Sequence, residues 1–376
     1  MVDLVPFLED KGTSLADVVR FANARLPLRA DDVLLAVGSL VEGLASDKSD
    51  LDLLLLTRRD GSELPEDGNI GWTAGRCLVD MRVVEWSRID DLVGRLKHWT
   101  GRAWNVTRAP KFTIDERTLL HRLWSGVRLE WDDGEVPPHP HPEAHELERL
   151  KLHVARQDAR TIQVDMSGLH SAGDHRSLAF AAFQLMGNAL DGLLASQGLT
   201  NPLLKWRSRL LERVPDAWGA RAGLSDGSRP VGEVVWDRMR FPAHADAAAV
   251  ERYAYGCAAF ARAAFAAAEY EAFALAARPA DAPVPEQAAG ARPLAFDVDF
   301  ALSEESVRLA RLNEFGRPLE MTHARFRDLL RSDLARFDGR MDPAKADRAG
   351  TPAEPWPAVA EAGLLASPFT LADATG

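Results

Sequence analysis

Cysteine and long apolar runs are both scarce in this sequence. Only two cysteines, Cys77 and Cys257, occur among 376 residues, too few for a disulfide framework and without the paired spacing of a zinc site. The longest apolar stretch, residues 254–277, is mostly alanine and is interrupted by charged residues, unlike a membrane span. The first residues lack a basic segment followed by an apolar core, so no secretory signal is predicted. Together these absences predict a cytoplasmic protein with no membrane partner.

Positive charge is also in short supply. The chain has 45 Lys and Arg against 56 Asp and Glu, a formal net charge of −11. Proteins that coat nucleic acid need a clustered surplus of basic residues to neutralise phosphates, so no long nucleic acid partner is predicted. A small acidic site that handles nucleotides through metal ions is compatible with this balance. The oligomeric state is not indicated by the sequence.

The residues that are present have an ordinary globular balance, with 46% hydrophobic and 27% charged. Short apolar runs at residues 32–39, 50–57 and 76–86 predict three buried strands. Helical signals surround them: residues 14–24 with Ser14 as N-cap, residues 87–98, and a helix that begins with the capping-box pair Thr113 and Glu116 and ends at Gly126.

The pattern changes after the proline-rich stretch 136–143. Helical periodicity over residues 143–166, 176–196, 202–214 and 247–277 predicts a helical bundle, and the Pro/Ala-rich stretch 278–293 is typical of a linker. Residues 303–316 and 322–339 predict two amphipathic helices. The expected fold class is therefore α+β, with a small mixed sheet flanked by helices (1–136), an α-helical bundle domain (143–278) and a small helical C-terminal unit with a flexible tail (294–376).

Three acidic residues carry the strongest chemical signal. Asp50 and Asp52 alternate with leucines, so both side chains project from the same face of the second predicted strand. Asp80 interrupts the apolar third strand, where a lone acid is costly unless it is paired or bound to a metal. Three converging carboxylates repel one another, and divalent cations prefer such oxygen ligands. The pattern therefore predicts a metal site.

A glycine and a serine end the first predicted strand. Gly38 permits a tight turn, and the Ser39 hydroxyl and the backbone there are suited to hold a phosphate.

This compound pattern resembles the nucleotidyltransferase superfamily of DNA polymerase β. The Gly-Ser, the spacer, the Ser before an Asp-x-Asp and the later third Asp occur as GSLVEGLASDKSDLDLLLL (38–56) and CLVDMRVVEW (77–86). The resemblance covers roughly residues 30–90 and implies a small mixed nucleotidyltransferase sheet. It also implies that Gly38, Ser39 and Ser49 bind the nucleotide, that Asp50, Asp52 and Asp80 hold two Mg²⁺ ions, and that Asp80 activates the acceptor hydroxyl.

A weaker signal lies in the helical part. Lys205 follows an Asn-Pro pair in a basic segment that resembles helical domains accompanying small-molecule nucleotidyltransferases. By that resemblance Lys205 contacts phosphate as a point charge, assisted by Arg207 or Arg209. A solvated basic face with Trp206 in the core is the open alternative.

The expected function is Mg²⁺-dependent transfer of an NMP from an NTP, with ATP as the expected donor, to a hydroxyl of a small molecule. The layout of sheet plus helical bundle also resembles antibiotic-modifying nucleotidyltransferases. Because the same metal chemistry serves other acceptors, an oligonucleotide or cyclic-nucleotide synthase and a protein-nucleotidylylating enzyme remain alternatives. A non-catalytic nucleotide-binding regulatory module is a third possibility, although mutually repelling carboxylates are a cost that an inactive site has no need to keep.

Overall fold

A computed structural model describes residues 4–59, 63–64, 68–100, 111–130, 138–222, 224, 229–242, 246–272, 293–303, 305–312, 318–335, 337 and 356–366. The chain divides into two compact units, Met1–Arg149 with Thr200–Arg209, and Leu150–Leu199 with Leu210–Gly376. The architecture is α+β, which confirms the predicted fold class. Most of the predicted linker (278–292) and of the predicted flexible tail (338–355 and 367–376) lies outside the described residues.

The first unit contains a five-stranded sheet in the order β3-β4-β2-β1-β5. Strands β2 and β4 are parallel, and the other neighbours are antiparallel. The three predicted strands are confirmed as β1, β2 and β4, whereas β3 and the short β5 complete the sheet at its edges. The strand bounds are β1 Val33–Val37, β2 Leu51–Thr57, β3 Asn69–Ala74, β4 Cys77–Glu85 and β5 Val127–Leu129.

Four helices accompany this sheet in the part of the first unit that the structure describes. Two of them begin at the predicted caps, whereas the third begins at Trp86, one residue before the predicted start at Ser87. The Ser14 side chain accepts a hydrogen bond from the Asp17 amide at the start of the second helix. Thr113 and Glu116 form a reciprocal capping box, and the helix that they begin ends before Gly126. The helices are α1 Leu4–Asp10, α2 Leu15–Arg25, α3 Trp86–Thr100 and α4 Ile114–Ser125.

The two faces of the sheet differ, since one packs against an apolar core and the other carries Asp52 and Asp80. One face buries Leu51, Leu53 and Val79 in an apolar core that also includes Leu8 of α1 and Val18 of α2. Because side chains alternate along a strand, Asp52 and Asp80 lie on the other face. Helix α4 covers part of that second face, and the acidic end is where the candidate site is found.

Arg82 and Gly126 show how α4 is attached. The guanidinium of Arg82 on β4 makes two hydrogen bonds, of 2.6 and 2.7 Å, to the carboxylate of Asp115 on α4. A Cβ added to Gly126 would lie 3.1 Å from the Val37 side chain and 3.3 Å from Leu35. The C-terminal end of α4 therefore lies directly beside the end of β1.

The remaining helices belong mainly to the second unit. Helix α5 (Ala144–Ser171) runs from the first unit into the second, and the long helices α6 (His175–Ser196) and α10 (Ala247–Ala272) follow the predicted periodicities. A Cβ on Gly192 of α6 would come within 2.8 Å of the Phe265 ring of α10, so these two helices approach each other closely. The shorter helices are α8 Asp216–Arg221, α9 Val231–Arg238, α11 His323–Ala335 and α12 Trp356–Glu361.

The prediction of one continuous helix over residues 202–214 was wrong. That segment contains a 3₁₀ turn, Leu204–Trp206, and then the short helix α7, Arg207–Leu211. The Asn201 side chain accepts a hydrogen bond from the Leu203 amide at 2.9 Å, a turn bond that competes with a regular helical start.

Among the described residues, α6 is long and apolar enough to cross a membrane by length and composition. However, 72% of its most apolar 18-residue window is buried inside the protein. It packs as a core helix of the second unit.

The predicted helix over residues 303–316 was also wrong. Residues within it form β7 of a three-stranded antiparallel sheet, in the order β6-β7-β8. Val307 and Leu309 are buried while Arg308 between them is exposed, which is the two-residue period of a strand. The helical spacing of the same apolar residues misled the prediction, whereas the second predicted helix is confirmed as α11. The strands are β6 Val298–Leu302, β7 Val307–Arg311 and β8 Leu319–Met321.

Buried ion pairs join this small sheet and helix α11 to the long helices. Arg156 of α5 lies 3.0 Å from Glu269 of α10 and 2.5 Å from Asp299 of β6. Arg262 of α10 pairs at 2.7 Å with Asp333 of α11, and both side chains are fully buried. Breaking such a pair leaves an uncompensated charge in the interior. The described residues of the C-terminal segment lie in the same compact unit as the long helices, and the predicted domain bounds stay a prediction.

Candidate active site

A row of paired residues crosses the sheet of the first unit at its acidic end. Asp52 of β2 is paired with Asp80 of β4 on one side and with Val37 of β1 on the other. Asp80 is paired in turn with Gly71 of β3. Directly paired residues share a face, so the two aspartates lie side by side. Asp50 immediately precedes β2 and lines the same cavity as Asp52.

Gly38 follows Val37 and comes into close contact with this row. Its φ is +81°, a left-handed conformation that is unfavourable for other residues. A Cβ at this position would lie 2.4 Å from Oδ2 of Asp52 and 3.2 Å from its Cγ. A larger residue here would strain the backbone and would displace the Asp52 carboxylate. The next turn is closed by the amides of Leu44 and Ala45, which donate to the Ser39 carbonyl at 2.9 and 3.1 Å.

Gly71 performs a related role beside Asp80. A Cβ at Gly71 would lie 3.1 Å from Oδ1 of Asp80, so a larger residue would press against that carboxylate. The Asp80 carboxylate therefore lies beside the position that a side chain at residue 71 would occupy. Asp80 itself is exposed at the surface of the sheet.

Gly38, Asp50 and Asp52 line a polar cavity of about 160 Å³ within the first unit. The lining comes from the turn after β1, the start of β2, the last turns of α4 and the segment 201–206. It consists of Gly38, Ser39, Glu42, Asp50, Asp52, Thr118, His121, Arg122, Asn201, Pro202, Leu203, Lys205 and Trp206.

The environment of Asp52 opposes its ionisation. Burial raises the pKa of this carboxyl above its ordinary value, and the neighbouring charges of Asp50 and Asp80 raise the pKa further. Arg122 of α4 acts in the opposite direction, because its Nη2 donates a 2.9 Å hydrogen bond to Oδ1 of Asp52. The balance leaves the pKa of Asp52 raised, with burial as its largest cause.

Not every predicted site residue lies in the cavity. Gly38, Ser39, Asp50, Asp52 and Lys205 line it, and Asp80 is adjacent to Asp52 in the sheet.

Ser49 and Arg209 instead hold the loop between β1 and β2. The Ser49 hydroxyl accepts a 2.9 Å hydrogen bond from the Ser46 amide. Arg209 donates to the carbonyls of Leu44 and Ala45 at 2.6 and 3.2 Å.

The segment 200–206 meets this site although it is distant in sequence. Lys205 is exposed, and its Nζ lies 5.0 Å from the centre of the Trp206 ring. The sequence left open whether Trp206 is a core residue, and it is half-buried at the cavity wall.

Sequence reasoning missed Arg122, His121, Glu42 and Asn201 as residues of the site. Arg122 and His121 lie on α4, and the sequence of α4 indicates an amphipathic helix without indicating which of its side chains reach the site. Glu42 lies in the spacer between Ser39 and Asp50, where no sequence pattern indicates a role for a particular residue. The Asn-Pro pair before Lys205 was the one local feature that pointed to Asn201.

No protein-family model matches this chain, and no match to it was found among the curated proteins. The resemblance to nucleotidyltransferases therefore stays a prediction from the motif. The geometry of the aspartates, of Gly38 and of the cavity is the basis for assigning a chemistry to the site.

Replacing Arg122 with glutamine is expected to raise the pKa of Asp52 further, because the change removes the cation that lowers it. The measurement is a pH titration of carboxyl carbons by NMR, with Asp52 assigned from the spectrum of Asp52→Asn. Arg122→Lys is the matched control, since it keeps the charge and should give a smaller rise. An unchanged Asp52 pKa in Arg122→Gln would show that the ion pair does not form in solution.

Proposed function

We propose that this protein is a Mg²⁺-dependent nucleotidyltransferase that transfers a nucleoside monophosphate from an NTP to a hydroxyl group of a small molecule. The observation that carries the proposal is the row formed by Asp52 and Asp80, with Asp50 in the same cavity as Asp52 and Gly38 against Asp52. An acidic pair in register on parallel strands, beside a glycine turn, supports metal-assisted chemistry on a phosphate ester.

The donor chemistry of the site suits magnesium. Mg²⁺ prefers oxygen ligands and is commonly bound through one or two carboxylates together with substrate phosphates. The described residues contain no group of three His, Cys, Asp or Glu already arranged to hold a metal ion. The fit therefore lies in the carboxylates of Asp50, Asp52 and Asp80 together with the oxygens that a nucleotide brings. Asp50 and Asp80 both act to raise the pKa of Asp52, and a cation bound among the three carboxylates would act in the opposite direction.

Two magnesium ions at these carboxylates would stabilise the attacking and the leaving oxygen of an in-line displacement at phosphorus. Asp80 is the exposed member of the set, so it is suited to accept the proton of the acceptor hydroxyl. That hydroxyl oxygen forms a bond to the α-phosphorus of the NTP, and the bond from the α-phosphorus to pyrophosphate breaks.

The cavity suits the phosphate portion of a nucleotide. Its volume of about 160 Å³ is below the ~300–1,000 Å³ that is usual for pockets enclosing a whole drug-sized ligand. Ser39 offers a hydroxyl and Lys205 an ammonium group at the cavity wall, and both are suited to phosphate oxygens. The nucleoside would then extend outside this cavity.

The acceptor is proposed to be a small neutral or cationic molecule. The formal charge of −11 disfavours long nucleic acid and favours the approach of cations. ATP is the proposed donor.

The test is a panel of the four NTPs with Mg²⁺ and small hydroxylated acceptors, both neutral and cationic. We expect pyrophosphate release with one preferred NTP, and an acceptor whose mass increases by that of the nucleotidyl group. EDTA should abolish the reaction. A product formed from NTP alone would instead support an oligonucleotide or cyclic-nucleotide synthase. Absence of any NTP binding by calorimetry in the presence of Mg²⁺ would overturn the proposal.

A further inference from the structure

Four polar side chains join the segment before Lys205 to the turn after β1. The Asn201 amide donates to both carboxylate oxygens of Glu42, at 3.0 and 2.9 Å. His121 Nδ1 is hydrogen-bonded to the Thr200 hydroxyl at 3.0 Å, and His121 Nε2 lies 3.0 Å from Oε2 of the same carboxylate without the geometry of a hydrogen bond. We call Glu42, His121, Thr200 and Asn201 the Glu42 network.

The Glu42 network is buried. His121 and Asn201 are each only 4% exposed, Thr200 is 5% exposed, and the Glu42 side chain is 11% exposed. Hydrogen bonds to a charged group in such surroundings are stronger than neutral ones and more sensitive to the loss of a partner. The network therefore fixes the main chain at Asn201 relative to the turn at residues 38–45.

Asn201 also determines how the chain continues toward Lys205. Its Oδ1 accepts the Leu203 amide at 2.9 Å, and Pro202 between them has a restricted φ. The 3₁₀ turn Leu204–Trp206 begins at the next residue. Lys205, whose ammonium group lies at the cavity wall, is therefore only four residues after the buried Asn201. Pro202 and Leu203 between them are both conformationally constrained.

We propose that Glu42 and Asn201 are positioning residues for nucleotide binding, because their hydrogen bonds set where Lys205 meets the polyphosphate. This inference rests on the proposed function and deepens it. It differs from a purely stabilising role in one respect: the contribution of Lys205 to nucleotide affinity depends on the Glu42–Asn201 pair.

The test is a double-mutant cycle. The ligand is the α,β-methylene analogue of the preferred NTP, and its Kd is measured by calorimetry with Mg²⁺. In the wild-type background, Lys205→Ala should weaken binding about tenfold, since ~1.4 kcal/mol corresponds to one decade and an exposed cation contributes at the lower end of charged hydrogen bonds. In the Asn201→Asp background, where a carboxylate faces Glu42, Lys205→Ala should weaken binding by no more than about twofold.

A swapped pair provides the rescue. In Glu42→Gln combined with Asn201→Asp, the new amide donates to the new carboxylate, which still accepts the Leu203 amide. We expect this variant to recover both the affinity and the tenfold effect of Lys205→Ala. If Asn201→Asp does not fold, as judged by circular dichroism and thermal melting, Glu42→Gln alone takes its place in the cycle.

The possible outcomes distinguish a failure of the positioning role from a failure of the proposed function. If Lys205→Ala costs the same tenfold in every background, the positioning role is wrong and the proposed function stands. If the swapped pair recovers thermal stability without recovering the effect of Lys205→Ala, the positioning role is likewise wrong. If the wild-type protein binds no nucleotide analogue at all, the proposed function itself fails.

Discussion

Replacing Asp52 with asparagine is expected to lower kcat for the proposed nucleotidyl transfer by on the order of 10³-fold. Metal-based stabilisation of a transition state provides several kcal/mol, and each 1.36 kcal/mol lost costs about a factor of ten in rate. Asp52 is the central carboxylate, because it neighbours Asp50 along the chain and Asp80 across the sheet. Asp50→Asn should have a comparable effect.

The same substitution is expected not to lower the thermal stability at neutral pH. The pKa of Asp52 is raised in the folded protein, chiefly by burial and also by Asp50 and Asp80, despite Arg122. Relative to an unfolded pKa of about 3.9, the folded state therefore binds the proton more tightly. The stability associated with the protonated form is fully present below the unfolded pKa and is lost as the pH rises through the folded pKa. An amide removes this cost of ionisation.

Activity and melting temperature should therefore change independently. The measurements are steady-state kinetics and thermal melting at pH 7, with Asp91→Asn as the control. Asp91 is an exposed aspartate that pairs with Arg95 on α3, away from the cavity, so both measured quantities should stay close to wild type. Retention of full activity by Asp52→Asn would show that this carboxylate is not part of the reaction.

Replacing Gly38 with alanine is expected to reduce kcat by on the order of 10²-fold, because a displacement of about 1 Å in a catalytic group costs that much. The added methyl group would lie 2.4 Å from Oδ2 of Asp52, so the carboxylate must move. A non-glycine residue at a φ of +81° also destabilises the fold by roughly 1–2 kcal/mol.

Gly12→Ala separates these two effects. Gly12 has a similar φ of +71°, but a Cβ there would meet no heavy atom within 4 Å. Its replacement should lower the melting temperature through backbone strain and leave kcat unchanged. Equal losses of activity in both variants would mean that backbone strain, and not contact with Asp52, accounts for the effect at Gly38.

The candidate site was predictable where its signals are local. Asp52 and Asp80 lie on strands, Asp50 immediately precedes the strand of Asp52, and Gly38 immediately follows a strand. These features need only the two-residue period of a strand to be recognised. In the structure Asp52 and Asp80 are directly paired, because their two strands are neighbours in the sheet.

Residues that reach the site through tertiary contacts were beyond sequence reasoning. Arg122 bonds to a carboxylate 70 positions earlier, and Asn201 bonds to one 159 positions earlier. No periodicity connects such positions. The helix predicted where β7 lies was wrong for a different reason. The short apolar pattern of this segment fits a helix as well as a strand, and pairing with β6 and β8 makes it a strand.

The first unit is discontinuous, and this affects the order in which the site is completed during synthesis. Residues 150–199 of the second unit are made between Arg149 and the returning segment Thr200–Arg209. A ribosome that has released only the first 149 residues has exposed all three aspartates, but neither Asn201 nor Lys205. Since domains generally fold from the N-terminus as they emerge, the acidic row is present before the basic residue that completes the cavity. A fragment that ends at residue 149 would therefore contain the three aspartates but lack the part of the cavity lining that residues 201–206 supply.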